Sequence, residues 1–288
     1  MKKITGLSAG LCLLFTASGI ASAQDPATMP PPKVLVLIRE FIKPGRAGSM
    51  HEKSESGFVH AMSAAKWPTH YFAVDSLSGA PRSLFLVGYP SFEAWEKDTL
   101  ATQKNATLSA AMDRASIADG DLLSAYESNT FVFREDMSLH SAVNIAQMRY
   151  FEIMQFVIRP GHEKDWEELA KMYTDGFGKA VPNAHWAMFE RMYGSSPAGS
   201  NGSVFLVFNP MKSLAEVDSS FADSKAFASS LSASDAKRLA ELTAASVESV
   251  QVNLFAFNPK ESYPPDEWIK ADSFWKPKAA APAVKPAQ

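Results

Sequence analysis

The sequence predicts an α+β protein made of two tandem ferredoxin-like units, each with the element order βαββαβ. Three observations lead to this prediction. A series of short landmarks recurs in the same order in both halves of the chain. Strand-like segments alternate with segments of helical periodicity in each half. The predicted sheets are apolar on both faces, so each sheet needs a cover.

The repeat is the first of these observations. The matched segments are "REFIKPG" at 39–45 with "QFVIRPG" at 155–161, "HY" at 70–71 with "HW" at 185–186, "FLVGYP" at 85–90 with "FLVFNP" at 205–210, and "FVF" at 131–133 with "FAF" at 255–257. Four matches in one order indicate a duplication, and a fixed repeat decides the architecture before any single element is assigned.

Each unit begins with a strand, a turn and a helix. The segments 33–42 and 149–158 are rich in β-branched and aromatic residues, which favours strands. The Pro-Gly pair that follows each strand predicts a turn in which glycine takes a positive φ. A helical stripe comes next. In the second unit its members are Trp166, Leu169, Ala170, Tyr173 and Phe177, and in the first unit a weaker stripe contains Met50, Ser54, Phe58, Ala61, Met62 and Ala65.

The rest of each unit is predicted as a hairpin, one helix and a last strand. Helices are predicted to begin near "SFEAWEKD" at 91–98 and "SLAEVDSSF" at 213–221. The last strands are "NTFVFRE" at 129–135 and "QVNLFAFN" at 251–258. The two units therefore cover residues 33–136 and 148–259, and residues 137–147 form a linker between them.

Large apolar side chains remain on the open face of each predicted sheet. Phe131 and Phe133 in one unit, and Phe255 and Phe257 in the other, illustrate this. An exposed apolar face of that size requires a partner. Packing the two sheets face to face covers both, so we expect a barrel-like sandwich.

The two ends of the chain are predicted to lie outside these units. Lys2 and Lys3 precede an uncharged run that closes on Ala21, Ser22 and Ala23, which is typical of a signal peptide over residues 1–23. An uncleaved membrane anchor is the alternative. Residues 260–288 form a Pro/Ala/Lys-rich tail that is expected to be largely disordered at its end, and Trp268, Phe274 and Trp275 indicate that its first part docks on the barrel.

Composition excludes several functional classes. Export to the periplasm or the extracellular space would remove the single cysteine, so disulfides and thiolate chemistry are not expected. The formal net charge is −3 and there is no basic stripe, which argues against nucleic acid as a partner. After cleavage no stable membrane anchor remains. We expect either a monomeric pseudo-dimer or further self-association.

Two segments carry a resemblance to a known family. "RYFEIMQFVIRPGHEKDWEEL" at 149–169 and "FLVGYPSFEAWEK" at 85–97 resemble the dimeric α/β-barrel superfamily, which includes antibiotic-biosynthesis-monooxygenase-like and NIPSNAP-like domains. The resemblance implies two sheets around a cavity, and its members include cofactor-independent oxygenases, haem-binding enzymes and proteins without a known reaction. Haem-degrading members pair a strand asparagine with a helix histidine, whereas the first strands here offer Arg39 and Gln155. No catalytic residue is carried over.

The duplication marks His70 and His185 as equivalent residues at the start of the second strand of each unit. Each is followed by an aromatic residue, Tyr71 or Trp186. If the imidazoles point between the sheets, they could hold a ligand or transfer protons. The alternative is structural, with each histidine bonding a backbone carbonyl at a strand end and its aromatic neighbour packing in the core.

Polar residues in the otherwise apolar first strands are further candidates. Arg39, Glu152 and Gln155 could orient a ligand in an apolar cavity, or could form edge contacts and ion pairs. No pair of histidines has HExxH spacing, so the sequence predicts no metal site and requires no cofactor, although haem is an option. The sequence favours an exported protein that binds a small apolar or aromatic ligand. The alternative is a small oxygenase or isomerase, cofactor-independent or haem-binding, acting on an aromatic or lipophilic compound between the sheets.

Overall fold

The computed structural model describes residues 28–195 and 200–276. The predicted signal peptide and the end of the predicted tail lie outside the described residues. So does the middle of the loop in the second hairpin.

The first half of the chain contains four strands and three α-helices in its described residues. They are β1 (Val34–Ile42), α1 (Ser49–Ala65), β2 (Tyr71–Ser76), β3 (Arg82–Tyr89), α2 (Phe92–Lys104), α3 (Ala106–Gly120) and β4 (Leu123–Phe133). Two short 3₁₀ helices, Glu135–Met137 and Ile145–Gln147, lie in the segment between the halves.

The second half repeats this order and adds a short C-terminal helix. Its elements are β5 (Tyr150–Ile158), α4 (Glu163–Ala180), β6 (Ala187–Tyr193), β7 (Ser203–Met211), α5 (Ala215–Ser230), α6 (Ala233–Ser246), β8 (Val247–Tyr263) and α7 (Asp266–Ala271), followed by a 3₁₀ turn at Ser273–Trp275.

The eight strands of the described residues close into one antiparallel barrel, which confirms the predicted α+β class. Their order around the barrel is β1-β3-β2-β8-β5-β7-β6-β4. Strand β2 pairs with β8 and strand β4 pairs with β6, so hydrogen-bonded ladders join the halves at both seams. The two predicted sheets are therefore continuous around the barrel, and pairing their edges satisfies backbone groups that an open sandwich would leave free.

The interior of the barrel is largely filled by side chains from both halves. Phe151 packs on Phe257 with ring centroids 4.8 Å apart and on Phe208 at 5.5 Å. Leu37, Leu84 and many further aliphatic residues complete this core. The space between the sheets, where the resemblance implied a cavity, is thus largely filled by packed apolar groups, and a space of about 240 Å³ lies at one end of it.

The Pro-Gly turns have the predicted geometry. Gly45 has a φ of 78° and Gly161 a φ of 85°. L side chains rarely adopt this region, so glycine suits both corners. Each turn directs the chain from the barrel wall into the helix that covers its outer face.

The structure differs from the sequence prediction in three places. Two helices, rather than one, connect the third and fourth strands of each half, because Asn105 and Ser232 each cap a new helix start through a side-chain oxygen. Strand β8 continues to Tyr263, past the predicted end of the unit at residue 259. A register shift opposite β2 accommodates Pro259, which cannot donate to the ladder.

The third difference concerns the buried face of α1. Met50 was predicted in the apolar stripe but is exposed, whereas His51 and Glu55 are buried. The helix is rotated so that polar groups, rather than apolar ones, contact the sheet at this end.

The first part of the tail docks on the barrel, as its aromatic residues predicted. Trp268 and Trp275 are buried in the barrel core, and the indole of Trp275 donates to the Ala146 carbonyl at 2.7 Å. Among the described helices, none has the length and apolar character needed to cross a bilayer.

Candidate functional site

A cavity of about 680 Å³ lies between the outer face of the first-half sheet and helices α1, α2 and α3. Most of its wall is apolar or aromatic. These lining residues are Ile38, Phe58, Met62, Trp67, Tyr71, Phe85, Val87, Tyr89, Met112, Leu123 and Tyr126. A space of this size and character suits a small aromatic or lipophilic molecule.

One part of the wall is acidic. Glu40 comes from β1, Glu55 from α1 and Asp119 from the last turn of α3, and all three carboxyl groups are buried. His51 lies one helical turn before Glu55, so both side chains project from the same face of α1 towards the sheet.

His51 is the centre of this acidic cluster. Its Nε2 lies 3.2 Å from Glu40 Oε2 and 3.7 Å from Asp119 Oδ1. Its Nδ1 lies 3.0 Å from Glu261 Oε1, which comes from the extension of β8. The ring is only 1% exposed, so both nitrogens are held by carboxyl groups in a dry environment.

Burial and the neighbouring charged groups together shift the pKa values of the cluster. Burial disfavours the imidazolium of His51, but hydrogen bonds with Glu261 and Glu40 outweigh that effect and raise its pKa to about 11. Burial, reinforced by the charges of Glu40 and Asp119, raises the pKa of Glu55 to about 10. Burial also raises the pKa of Glu261 to about 7, although the hydrogen bond with His51 opposes that rise.

Several oxygens at this site have no hydrogen-bond partner within the described part of the chain. They are Glu55 Oε1, Asp119 Oδ1, Glu261 Oε2 and the hydroxyl of Tyr71. Glu55 is 3% exposed and Asp119 is 2% exposed. Buried polar atoms are normally paired, and Glu55, Tyr71 and Asp119 line the cavity, so their unpaired oxygens make this wall a candidate binding surface.

Another part of the cavity wall contains Asp98, a carboxylate that accepts three hydrogen bonds. Asp98 accepts hydrogen bonds from the Trp67 indole at 2.9 Å, the Thr69 hydroxyl at 2.7 Å and the Tyr89 hydroxyl at 2.9 Å. This network fixes the aromatic wall of the cavity. Both carboxylate oxygens of Asp98 therefore accept hydrogen bonds, whereas Glu55 Oε1 and Asp119 Oδ1 accept none from the described residues.

The second half fills the corresponding place with aromatic rings. Glu40 and Phe156 hold matching positions in the first strand of each half, and Trp166 of α4 contacts Phe156 as His51 of α1 contacts Glu40. The Trp166 ring lies 4.9 Å from Phe156 and 5.3 Å from Phe205. The second half thus has an apolar cluster where the first half has the acidic cluster.

Four side chains of the acidic cluster could hold a metal ion. One ligand atom from each of Glu40, His51, Glu55 and Asp119 lies within 4.8 Å of the others. The same cluster does not fit haem. Both ring nitrogens of His51 lie within 3.2 Å of carboxyl oxygens, which is unsuited to an axial haem ligand.

Of the predicted site residues, Tyr71 lines the large cavity and its equivalent Trp186 does not. Trp186 packs against Phe177 on the outer side of the second half, with ring centroids 5.7 Å apart, and donates to the Met137 carbonyl at 3.0 Å. Neither His70 nor His185 lines the large cavity.

The two equivalent histidines bond backbone carbonyls. His70 Nδ1 lies 3.2 Å from the Tyr263 carbonyl. The ring nitrogens of His185 lie 3.0 Å from the Asn183 carbonyl and 2.8 Å from the Pro210 carbonyl. These contacts match the structural alternative for both residues.

The polar residues of the first strands separate into two groups. Arg39 and Gln155 meet inside the barrel end, where an Arg39 guanidinium nitrogen lies 3.4 Å from Gln155 Oε1, and both line the smaller cavity. Glu152 alternates with Phe151 and Ile153, which point into the core, so its side chain lies on the outer face of the barrel. Burial raises its pKa.

No sequence motif marks the acidic cluster, yet the sequence contains one signal of it. His51 and Glu55 are four residues apart and in phase with Phe58 and Met62, so the buried stripe of α1 contains two ionisable groups. A polar i, i+4 pair on an otherwise apolar helix face points to a site. Nothing in the sequence connects that pair with Asp119 or Glu261.

No family model and no curated relative matches the chain. Solved structures similar to this chain include an anthrone oxidase-like protein, at 11% identity and a TM-score of 0.47. The match covers 78% of this chain and 92% of that protein. Another is a mutant chlorite dismutase from Candidatus Nitrospira defluvii, at 10% identity and a TM-score of 0.44, covering 88% of this chain and 100% of that one.

Proposed function

We propose that the first half of the barrel is an enzyme site for a small aromatic or lipophilic compound, of the oxygenase or isomerase type. The observation that carries the proposal is the acidic cluster in the wall of an otherwise apolar cavity, with unpartnered oxygens on Glu55 and Asp119. An apolar wall provides affinity, and a few convergent polar groups provide orientation and chemistry.

Two groups have the position needed to act on a bound molecule. The Tyr71 hydroxyl lines the cavity and has no partner among the described residues, so it is free to bond a ligand oxygen. Glu55 lies in the same wall, where a carboxyl group can exchange a proton with a hydroxyl or an acidic C–H of the ligand. The sequence suggested a site between the two sheets, whereas the site proposed here lies between the outer face of the first-half sheet and helices α1 and α3.

Binding is tested with 2-naphthol, whose fluorescence reports transfer from water to an apolar site. Ser116 is an exposed residue of α3 that lines the cavity, so Ser116→Trp should narrow the space and weaken binding by at least about tenfold. Ile117, which is 75% exposed on the same helix and outside the cavity lining, provides the matched control Ile117→Trp. Equal binding by both variants would contradict the proposed cavity.

Chemistry is tested by incubating the protein with a panel of hydroxylated aromatic compounds in air. Oxygen consumption reports oxygenation, and exchange of ligand C–H for deuterium reports proton abstraction. The conservative change Glu55→Gln should reduce turnover by at least about 100-fold while 2-naphthol binding persists. Binding without turnover of any compound would favour the alternative, a small-ligand-binding protein without a reaction.

We also infer that the two halves are tandem ferredoxin-like units and that the protein is exported. The strand orders β4-β1-β3-β2 and β8-β5-β7-β6 support the first inference, since both halves place corresponding strands in corresponding positions. Lys2, Lys3 and the small residues at 21–23 support the second. N-terminal mass analysis of the exported protein should find Gln24 first, and a membrane-bound chain that retains Met1 would contradict export.

A further inference from the structure

We propose that Glu40, His51, Glu55 and Asp119 bind a divalent first-row transition-metal ion in the wall of the large cavity. This inference deepens the proposed function, on which its catalytic meaning rests, because it names the group that would act on the bound molecule. Binding of the ion itself does not depend on the proposed function.

The geometry of the four residues is the first argument. Their ligand atoms lie within 4.8 Å of one another, and the closest approach among the measured pairs is 3.2 Å between His51 Nε2 and Glu40 Oε2. Ligands bound about 2.1 Å from an ion are separated from each other by roughly 3 to 4 Å. Small side-chain adjustments would therefore bring all four atoms into a coordination shell.

The second argument is the excess of carboxyl groups that are buried in this wall of the cavity. Glu55 Oε1 and Asp119 Oδ1 have no hydrogen-bond partner in the described residues, although both side chains are more than nine-tenths buried. One carboxyl oxygen of Glu40 and one of Asp119 lie within 4.8 Å of each other. Two carboxyl groups so close together need a proton or a cation between them.

The position of Asp119 adds to this excess. It belongs to the last turn of α3, where the unsatisfied carbonyls of the helix give a partial negative charge. A buried carboxylate at that end is unfavourable without a nearby positive charge, and the His51 ring, 3.7 Å away, is shared with Glu40 and Glu261. A divalent ion between Asp119 and Glu55 would supply that charge.

The hydrogen bond between His51 and Glu261 is the third argument. Histidine ligands to metals commonly donate their other N–H to a carboxylate, which fixes the tautomer and the ring orientation. His51 Nδ1 lies 3.0 Å from Glu261 Oε1, so this nitrogen would keep its proton when an incoming ion displaces the proton that Nε2 shares with Glu40. Glu261 is thus a positioning residue for the imidazole.

The donor set selects the class of metal. Three carboxylates with one imidazole and no thiolate favour Mn²⁺, Fe²⁺ or Zn²⁺ over Ca²⁺ and Mg²⁺, which prefer oxygen ligands alone. Because Glu40, Glu55 and Asp119 also line the cavity, an ion held by them would be reachable by a ligand in it. The apolar cluster of Phe156, Trp166 and Phe205 shows that the fold itself does not require ionisable groups here.

The test uses the purified chelator-treated protein and Mn²⁺ alone. Titration calorimetry and the loss of the free Mn²⁺ paramagnetic resonance signal should show one site per chain. The paired change Glu55→Gln with Asp119→Asn should abolish that site, and Glu261→Gln should weaken it by about 10 to 100-fold. Asp113→Asn is the matched control, because Asp113 is exposed on α3, the helix that also contains Asp119. This variant should bind Mn²⁺ as the unmodified chain does.

A second measurement guards against variants that fail to fold. Adding Mn²⁺ should raise the Tm of the unmodified protein and leave the Tm of the paired variant unchanged, while both show a cooperative melt without metal. Absence of binding by Mn²⁺, Fe²⁺ and Zn²⁺ at millimolar concentrations, or equal binding by the paired variant, would overturn this inference. If the unmodified protein binds 2-naphthol but no metal ion, only the metal site is contradicted. If it binds the metal ion but not 2-naphthol, only the proposed substrate cavity is contradicted.

Discussion

His51 Nδ1 lies 3.0 Å from Glu261 Oε1, although 210 positions separate the two residues in the chain. One belongs to the first helix and the other to the last strand. The contact exists because β8 pairs with β2 and continues along it as far as Tyr263. The acidic cluster of the first half is therefore completed by the second half, so the candidate site depends on closure of the barrel.

The first prediction concerns the charge balance of the acidic cluster. Replacing His51 with Phe should lower the free energy of unfolding by about 3 to 5 kcal/mol, because the buried carboxyl groups lose their basic partner. Adding Glu40→Gln, Glu55→Gln and Asp119→Asn should recover much of the loss, since neutral amides no longer repel each other. Urea denaturation of the metal-free protein measures both effects.

The control for these substitutions is His60→Phe, because His60 is exposed on α1, the helix that also contains His51. It should alter stability by less than about 0.5 kcal/mol. A neutral effect of His51→Phe, or no recovery in the combined variant, would show that repulsion among the carboxyl groups is unimportant.

The second prediction assigns His185 a structural role. Replacing it with Phe removes contacts with the Asn183 and Pro210 carbonyls and should lower the free energy of unfolding by about 1 to 3 kcal/mol. Affinity for 2-naphthol and Mn²⁺ should stay unchanged, because His185 is absent from the cavity lining. A selective loss of either affinity at unchanged stability would return His185 to the functional site.

The third prediction concerns the docked part of the tail. Trp275 is 1% exposed, packs against Phe257 and Trp268, and bonds the Ala146 carbonyl. Trp275→Ala should therefore lower the free energy of unfolding by about 3 to 5 kcal/mol. The comparison is Phe221→Ala at a side chain that is 72% exposed, which should change stability little. Equal melting temperatures for the two variants would mean that the tail does not stabilise the barrel.

The fourth prediction is that the two halves melt as one unit. The β2–β8 and β4–β6 ladders join them, and the interior packs side chains from both. Calorimetry should show one transition whose calorimetric and van't Hoff enthalpies agree.

Fragments 28–138 and 148–276 provide a complementary test of the same prediction. Expressed separately, they should self-associate or stay unfolded, because each exposes two strand edges and an apolar sheet face. Two transitions in the intact chain, or two monomeric fragments with sharp independent melts, would contradict a single cooperative barrel.

The sequence alone was sufficient for most local elements and for their recurring order in the two halves. Strand-forming residues, the two Pro-Gly turns and the stripe beginning at Trp166 act over a few neighbouring positions, so their effect can be predicted without knowing the rest of the chain. The division of each second helix depended on caps at Asn105 and Ser232, which compete with helix continuation by a small free energy and are harder to predict.

The tertiary structure decided where the chemistry lies. Periodicity placed polar residues on strands or helix faces, but it could not show that Glu40, His51, Glu55, Asp119 and Glu261 converge. Their convergence depends on the pairing of β2 with β8 and on the packing of α1 beside α3, both of which are long-range contacts. The packing of the barrel interior could likewise not be predicted from the sequence pattern. Whether a space between two apolar faces is filled depends on how side-chain volumes from distant segments fit together.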